Sequence, residues 1–134
     1  MIALQKLNVK TPKREVLIEI TDKIRKIVKD SNIKEGVCRI FVPHTTAGIT
    51  INENADPAVM KDIVNFLGQL IPRSSSFSHL EGNSDAHIKS TLTGPSLEVL
   101  IHDNNIVLGT WQGIMFTEYD GPRSRSVYVQ VQGD

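Results

Sequence analysis

Three short polar stretches carry the residue types that do chemistry in this chain. The first is Pro43-His44-Thr45-Thr46-Ala47-Gly48, which follows an apolar run and so belongs at a strand end, on the rim of a sheet. An imidazole there suits proton transfer or metal ligation, and the hydroxyls of Thr45 and Thr46 suit hydrogen bonds to an anion. Taken alone, His44 reads more plainly as a hydrogen-bonded rim histidine.

The second stretch, Ser78-His79-Leu80-Glu81-Gly82-Asn83-Ser84-Asp85-Ala86-His87, sets Glu81 and Asp85 between two histidines. Imidazoles and carboxylates together suit zinc, manganese or iron, and a nearby carboxylate can fix the tautomer of a ligating ring. The spacing is not the diagnostic His-Glu-x-x-His, so it does not specify a metal by itself. The third stretch is Glu118-Tyr119-Asp120-Gly121-Pro122-Arg123-Ser124-Arg125. Asp-Gly-Pro signals a turn. Arg123 and Arg125 are then either solvated hairpin residues or guanidiniums aimed at a phosphate or carboxylate, which they grip with paired hydrogen bonds. Alternation along a strand puts both on one face if the strand starts that early.

Weaker candidates surround these. Asn52-Glu53-Asn54 lines a site or merely caps and turns before Asp56-Pro57. The glycines of Gly109-Thr110-Trp111-Gln112-Gly113 suggest a bulge or a close backbone approach, with Trp111 as packing. His102, beside Asp103, has no assigned role. The chain lacks a Gly-x-Ser-x-Gly nucleophile elbow, a Walker phosphate loop, a dinucleotide-binding glycine pattern and a zinc ribbon.

The elements that must position these residues read as follows. Residues 1–10 form a strand, with Arg14 to Ile20 as its hairpin partner. Ile20, Ile24, Ile27 and Val28 share a helical face, capped by Thr21 or Asp22. A second hairpin joins Val37–Val42 to Gly48–Asn52. Asp56-Pro57 starts a helix whose buried stripe is Val59, Ile63, Phe66, Leu67 and Leu70, closed by Pro72. Arg73 to Ser84 is a long polar connection of the kind that often carries function. A short helix runs from Ser84 through His87 to Leu92, stopped by Gly94-Pro95. Strands Leu97–His102, Val107–Tyr119 and Ser124–Gln132 complete the chain, with a hairpin turn at Asn104-Asn105. The expectation is a single α+β domain over residues 1–134, with a mainly antiparallel sheet, two principal helices and one short helix.

At 134 residues the chain can bury a real core. Fifteen basic residues balance fifteen acidic ones, so neither nucleic acid nor an acidic membrane is expected as main partner. The single cysteine, Cys38, lies in an apolar run and reads as a buried thiol in a reducing compartment. No signal peptide is recognisable and no run approaches the roughly 20 apolar residues that span a bilayer. A cytoplasmic protein is expected.

Five ordered motifs resemble those of the YjbQ-like family, also called the secondary thiamine-phosphate synthase enzyme family. They are His44-Thr45-Thr46-Ala47, Ile51-Asn52-Glu53-Asn54 with Asp56-Pro57, Ser84-Asp85-Ala86-His87, Leu108-Gly109-Thr110-Trp111-Gln112-Gly113-Ile114, and Asp120-Gly121-Pro122-Arg123-Ser124-Arg125. The resemblance spans nearly the whole chain. It departs at Asn104-Asn105, where the family favours glycine, and at His102, where a proline is common.

The resemblance implies a homotrimer with clefts near subunit boundaries, and a divalent metal on His44, His79 and His87. Zinc is the first choice there, with manganese, iron or magnesium as alternatives. It also implies a thiamine-phosphate-synthase-like transferase that joins a pyrimidine pyrophosphate to a thiazole phosphate and releases pyrophosphate. In that reading Glu53 or Glu118 orients substrate or moves a proton. Thr45, Thr46, Asn52, Arg123 and Arg125 hold a small phosphorylated metabolite. Three histidines are softer ligands than magnesium prefers. A metal-dependent hydrolase of a small phosphorylated or acylated metabolite is therefore a second reading. A non-catalytic trimeric protein that binds a phosphate-bearing ligand is a third.

Overall fold

Alternation along Ser124–Gly133 turns Val127, Val129 and Val131 inward, each fully buried, and leaves Ser126, Tyr128 and Gln130 half-covered on the other face. The same period of two shapes the other strands. The computed structural model describes residues 1–74 and 76–134. In chain order the elements are β1 (Ile2–Lys10), β2 (Val16–Glu19), α1 (Thr21–Ser31), β3 (Gly36–Phe41), β4 (Ala47–Glu53), α2 (Pro57–Leu70), α3 (Ser84–Thr93), β5 (Ser96–His102), β6 (Asn105–Ile106), β7 (Gln112–Glu118) and β8 (Ser124–Gly133). The α+β class and the antiparallel pairing agree with the sequence reading. Ser75, within the long polar connection, lies outside the described residues.

The strands divide into two antiparallel sheets, ordered β1-β8-β3-β5-β6 and β2-β7-β4. The core lies between them. Cys38, Ile40, Val99, Ile101, Val127 and Val129 come from the first sheet, Ala47, Ile49, Ile114 and Phe116 from the second, and Ile24 and Val28 from α1. Burial pushes the Cys38 thiol up to about 12, which leaves it an inert packing group.

Two expected hairpins do not form. β1 pairs with β8 and β2 with β7, so the first two strands belong to different sheets. β3 pairs with β5 and β8, whereas β4 pairs with β7. Sequential adjacency pointed to the wrong partners because a strand between sheets is recruited by whichever face buries its apolar side. A turn after β5 does form, but it joins β5 to the two-residue β6, while the expected strand Val107–Tyr119 is reduced to β7, which pairs with β2 and β4 in the other sheet. The left-handed residues of the turn are Asp103 (φ 51) and Asn104 (φ 62), one step earlier than Asn104-Asn105. Asn104 is held there because its side-chain amide donates to the carbonyls of Val28 and Ile33.

Among the helices, α1 has no side-chain cap; the Thr21 hydroxyl instead accepts from the N–H of Ile114 and ties the helix start to β7. Asp56 caps α2 as expected, accepting from the Ala58 N–H over 2.9 Å. The expected buried stripe on α2 is absent from the single chain: none of its residues is buried, and Phe66 and Leu70 are 62% and 60% exposed. No helix among the described residues is long and apolar enough to cross a membrane.

Candidate functional site

Three separate stretches of the chain meet at one cavity of about 370 Å³. The β3–β4 loop brings Pro43, His44, Thr45 and Thr46. The α2–α3 connection brings His79, Glu81 and Asn83, and α3 brings His87. The β7–β8 connection and the start of β8 bring Asp120, Arg123 and Arg125. All three histidines proposed from the sequence therefore line one space, with Thr45, Thr46 and both arginines.

Its floor is a buried polar network. The Glu118 carboxylate has no solvent exposure and accepts from Arg125 Nε (2.8 Å), the Thr11 hydroxyl (2.8 Å) and the Asp120 N–H (3.0 Å), with a further bond from Arg125 Nη2. Arg125 Nη2 also donates to Thr46 Oγ1 over 2.8 Å, so one guanidinium fixes two walls of the cavity. Burial pushes the Glu118 carboxyl up, but the bonds from Arg125, Asp120 and Thr11 outweigh it and hold it below the usual carboxylate range. With that many donors Glu118 is a support for Arg125, not a free base.

The turn above this network is fixed by close approach. Gly121 lies against the backbone of Lys13, and a Cβ there would stand 2.3 Å from the Lys13 carbonyl oxygen. The Gly121 N–H donates to the carbonyl of Arg14. Arg123 folds back on the turn, donating through Nε to the Asp120 carbonyl (2.7 Å) and through Nη2 to Asp120 Oδ2 (2.9 Å).

Helix α3 is anchored from beneath. Asp85, fully buried, accepts from Arg14 (3.1 and 3.2 Å) and from Lys89 (3.2 Å), and Lys89 also pairs with Glu15. Burial raises the Asp85 carboxyl and the two cations more than offset that, leaving it below the ordinary range. This ion network explains a carboxylate in the middle of the metal-type motif: Asp85 holds the helix and faces away from ligand duty. Asn83, at the start of α3, donates through Nδ2 to Asp120 Oδ2 (2.8 Å), and its Oδ1 is buried without a partner.

The histidines differ in environment. The rings of His79 and His87 meet edge to face with centroids 5.2 Å apart. His44 accepts the Ser126 N–H at Nε2 over 2.9 Å. Burial, then the nearby Arg125 charge, hold its pKa below the ordinary histidine value.

The His79 and His87 rings are neighbours, in an edge-to-face contact. His44 does not fit as a third ligand, because its Nε2 lone pair is taken by Ser126. Among the described residues, the ligand atoms of His44, His79 and His87 do not gather within 4.8 Å of one another; only Glu35, His102 and Asp103 do, in an exposed surface cluster.

Two expected site residues stand elsewhere. Asn52 lines a separate cavity with Thr50, Thr93, Thr117 and Tyr119, and Glu53 pairs with Gln112 at the far end of β4. Six residues of extended strand, about 20 Å, separate Glu53 from Ala47 at the cavity end. Asn83 and Asp120 were missed as lining residues. Each sat inside a quoted motif, but only the crossing of α3 with the β7–β8 turn makes them partners.

Comparison with known proteins places this geometry in a wider set. A family model described as UPF0047 protein YjbQ-like matches residues 5–134. A UPF0047 protein of Methanocaldococcus jannaschii is 58% identical over 131 residues, covering 98% of this chain and 95% of its own. The UPF0047 protein YugU of Bacillus subtilis is 44% identical over 131 residues, covering 97% and 99%. A crystal structure of a protein of unknown function from Sulfolobus solfataricus superposes with a TM-score of 0.95 at 34% identity, over 100% of this chain and 99% of that one. One from Clostridium acetobutylicum superposes with a TM-score of 0.93 at 47% identity, over 96% and 99%.

Proposed function

The chain belongs to the YjbQ-like UPF0047 family, and from that premise we propose that the cavity binds a small phosphorylated metabolite and carries out transfer chemistry with loss of phosphate or pyrophosphate. The observation that carries this reading is the convergence of His44, His79, His87, Arg123 and Arg125 on one cavity from three stretches of the chain. A volume of about 370 Å³ suits a metabolite of modest size.

In a pyrophosphate-releasing transfer, the incoming nucleophile attacks the carbon that bears the pyrophosphate. The carbon–oxygen bond breaks and its electron pair goes to the leaving oxygen. Arg125, rigid on Glu118 and Thr46, is oriented before substrate arrives, so its remaining N–H groups meet that developing charge without reorganisation. Arg123 and the hydroxyl of Thr45 are further donors on the same wall.

His79 and His87 are also the residues that would hold a divalent ion, zinc first and manganese, iron or magnesium after it. Such an ion supplies Lewis-acid neutralisation of phosphate oxygens. We further infer that the chain assembles, because the apolar side of α2 has no cover within one chain, and take the homotrimer that the family resemblance implies as the assembly.

The direct test offers purified protein a pyrimidine pyrophosphate with a thiazole phosphate, and separately a panel of phosphate esters, while pyrophosphate and phosphate release are measured. Release that is abolished by His87→Ala supports the transfer reading. Hydrolysis of esters alone moves the assignment to a hydrolase. Saturable binding without turnover leaves a ligand-binding protein.

A further inference from the structure

The contact between His44 and the backbone of Ser126 decides what that ring can do. A backbone N–H only donates, so the Nε2 that receives it at 2.9 Å carries a lone pair and no proton. In the neutral ring the proton must then sit on Nδ1. Nδ1 has no protein partner among the described residues, and it is not one of the buried unpaired atoms. The ring lines the cavity beside Thr45, Thr46 and Arg125. With no protein partner among the described residues and not buried, Nδ1 is open to solvent on a ring that lines the cavity.

Resting on the phosphate-pocket reading above, we propose that His44 is a tautomer-locked hydrogen-bond donor that gives its Nδ1–H to a phosphoryl oxygen of the ligand, and is neither a metal ligand nor the general base. A metal on Nδ1 would require the ring proton to move to Nε2, which would set two N–H groups against each other at Ser126. A base would require an accessible lone pair, and the one lone pair of the neutral ring is already used. A neutral donor beside Arg125 also fits the balance of charge: Arg125 is paired with buried Glu118, and Arg123 with Asp120, so the pocket gains acceptor recognition without another cation.

The specificity follows from the donor. A phosphoryl oxygen satisfies it, whereas an apolar or donor-only group in the same place leaves a desolvated N–H unpaired, which costs affinity. Glutamine can reproduce the arrangement, accepting from Ser126 with Oε1 and donating with its amide, while leucine of similar size cannot.

Two measurements on the intact protein test this. Nitrogen-15 spectra of histidine-labelled protein at pH 7.5 are expected to show His44 protonated at Nδ1, and unchanged in tautomer when zinc is added. Inorganic phosphate titrated by calorimetry is expected to bind His44→Leu at least tenfold more weakly than wild type, and His44→Gln within threefold of it. An Nε2-protonated ring, or zinc shifting the His44 nitrogens, overturns the proposal even if no variant folds. Phosphate binding equally well to wild type and His44→Leu overturns it while the phosphate pocket stands. No phosphate binding to wild type removes the pocket reading and this donor role together.

Discussion

Glu118 and Arg125 face each other across the β7–β8 connection, with Arg125 Nε 2.8 Å from Glu118 Oε1 and both side chains buried, at 0% and 6% exposure. The pair stands under the candidate cavity and shapes it from below. Replacing either partner alone leaves the other as an uncompensated buried charge, a loss that typically runs to about 3–5 kcal/mol. Glu118→Gln is expected to lower stability by about 3 kcal/mol or more in urea unfolding, with no ligand present. A Glu118→Gln protein as stable as wild type but catalytically dead would instead return Glu118 to the role of a proton carrier.

Much of this arrangement could be read from the chain, and the reasons for the gaps are physical. Periodicity located α1, the Asp56-capped α2 and the alternating β8, because those signals are local. Pairing was illegible where it depended on the faces of two sheets, which is why Arg14–Ile20 was matched to β1 when Val16–Glu19 pairs with β7. The histidines and arginines were found by residue type and by family resemblance. Separating Glu118, a saturated support, from a free base required knowing that Thr11, 107 residues away, donates to it. Asn52 and Glu53 were drawn to the site by motif, and the direction of β4 carries them off.

Acid should act on this protein in two stages. His44 has a folded pKa below its ordinary value of about 6.5, so its contribution to stability is complete above that pH. It is lost as pH falls from there through the folded value, because protonation sets Nε2–H against the Ser126 N–H. The groups acting on the ring from its surroundings are Arg125, Glu118 and Arg123. Asp85, Glu118 and Asp120 are also held below their ordinary range, and their contribution is present above it and lost as pH falls through the folded values. Thermal melts of wild type and His44→Gln are expected to diverge below about pH 6.5, with the wild type falling faster, and Asp85→Asn should flatten the later, more acidic loss. Parallel melting curves down to pH 5 would mean that His44 titrates alike in folded and unfolded chains.

Metal loading separates the histidines. In the proposed site His79 and His87 share the ion, whereas His44 is committed to Ser126. Zinc, titrated into metal-free protein, is expected to bind at one equivalent per chain. The affinity should fall at least tenfold in His79→Ala and His87→Ala and stay within threefold in His44→Gln. Elemental analysis of the purified variants gives an independent reading. Loss of zinc on replacing all three histidines equally would show that the His44 ring leaves Ser126 to join the ion.

The open face of α2 argues for assembly. The helix is amphipathic, with Val59, Ile63, Phe66, Leu67 and Leu70 at helical spacing, yet within one chain it touches chiefly β2 and keeps Phe66 and Leu70 in solvent. Leu92 on α3 is likewise 64% exposed. Leaving this much apolar surface in water forfeits about 25 cal/mol for each Å² that a partner chain would cover. Charge placed there should oppose assembly without touching the core between the sheets. Light scattering is expected to give a mass three times the 14.9 kDa of the chain, and Phe66→Glu with Leu70→Glu should return it to the monomer with a folded circular dichroism spectrum. A wild-type monomer at micromolar concentration would sink the trimer and leave the α2 face unexplained. A trimer unaffected by both glutamates would move the interface to another surface, such as the outer side of the first sheet, where Ile2, Leu4, Phe41 and Leu100 are exposed.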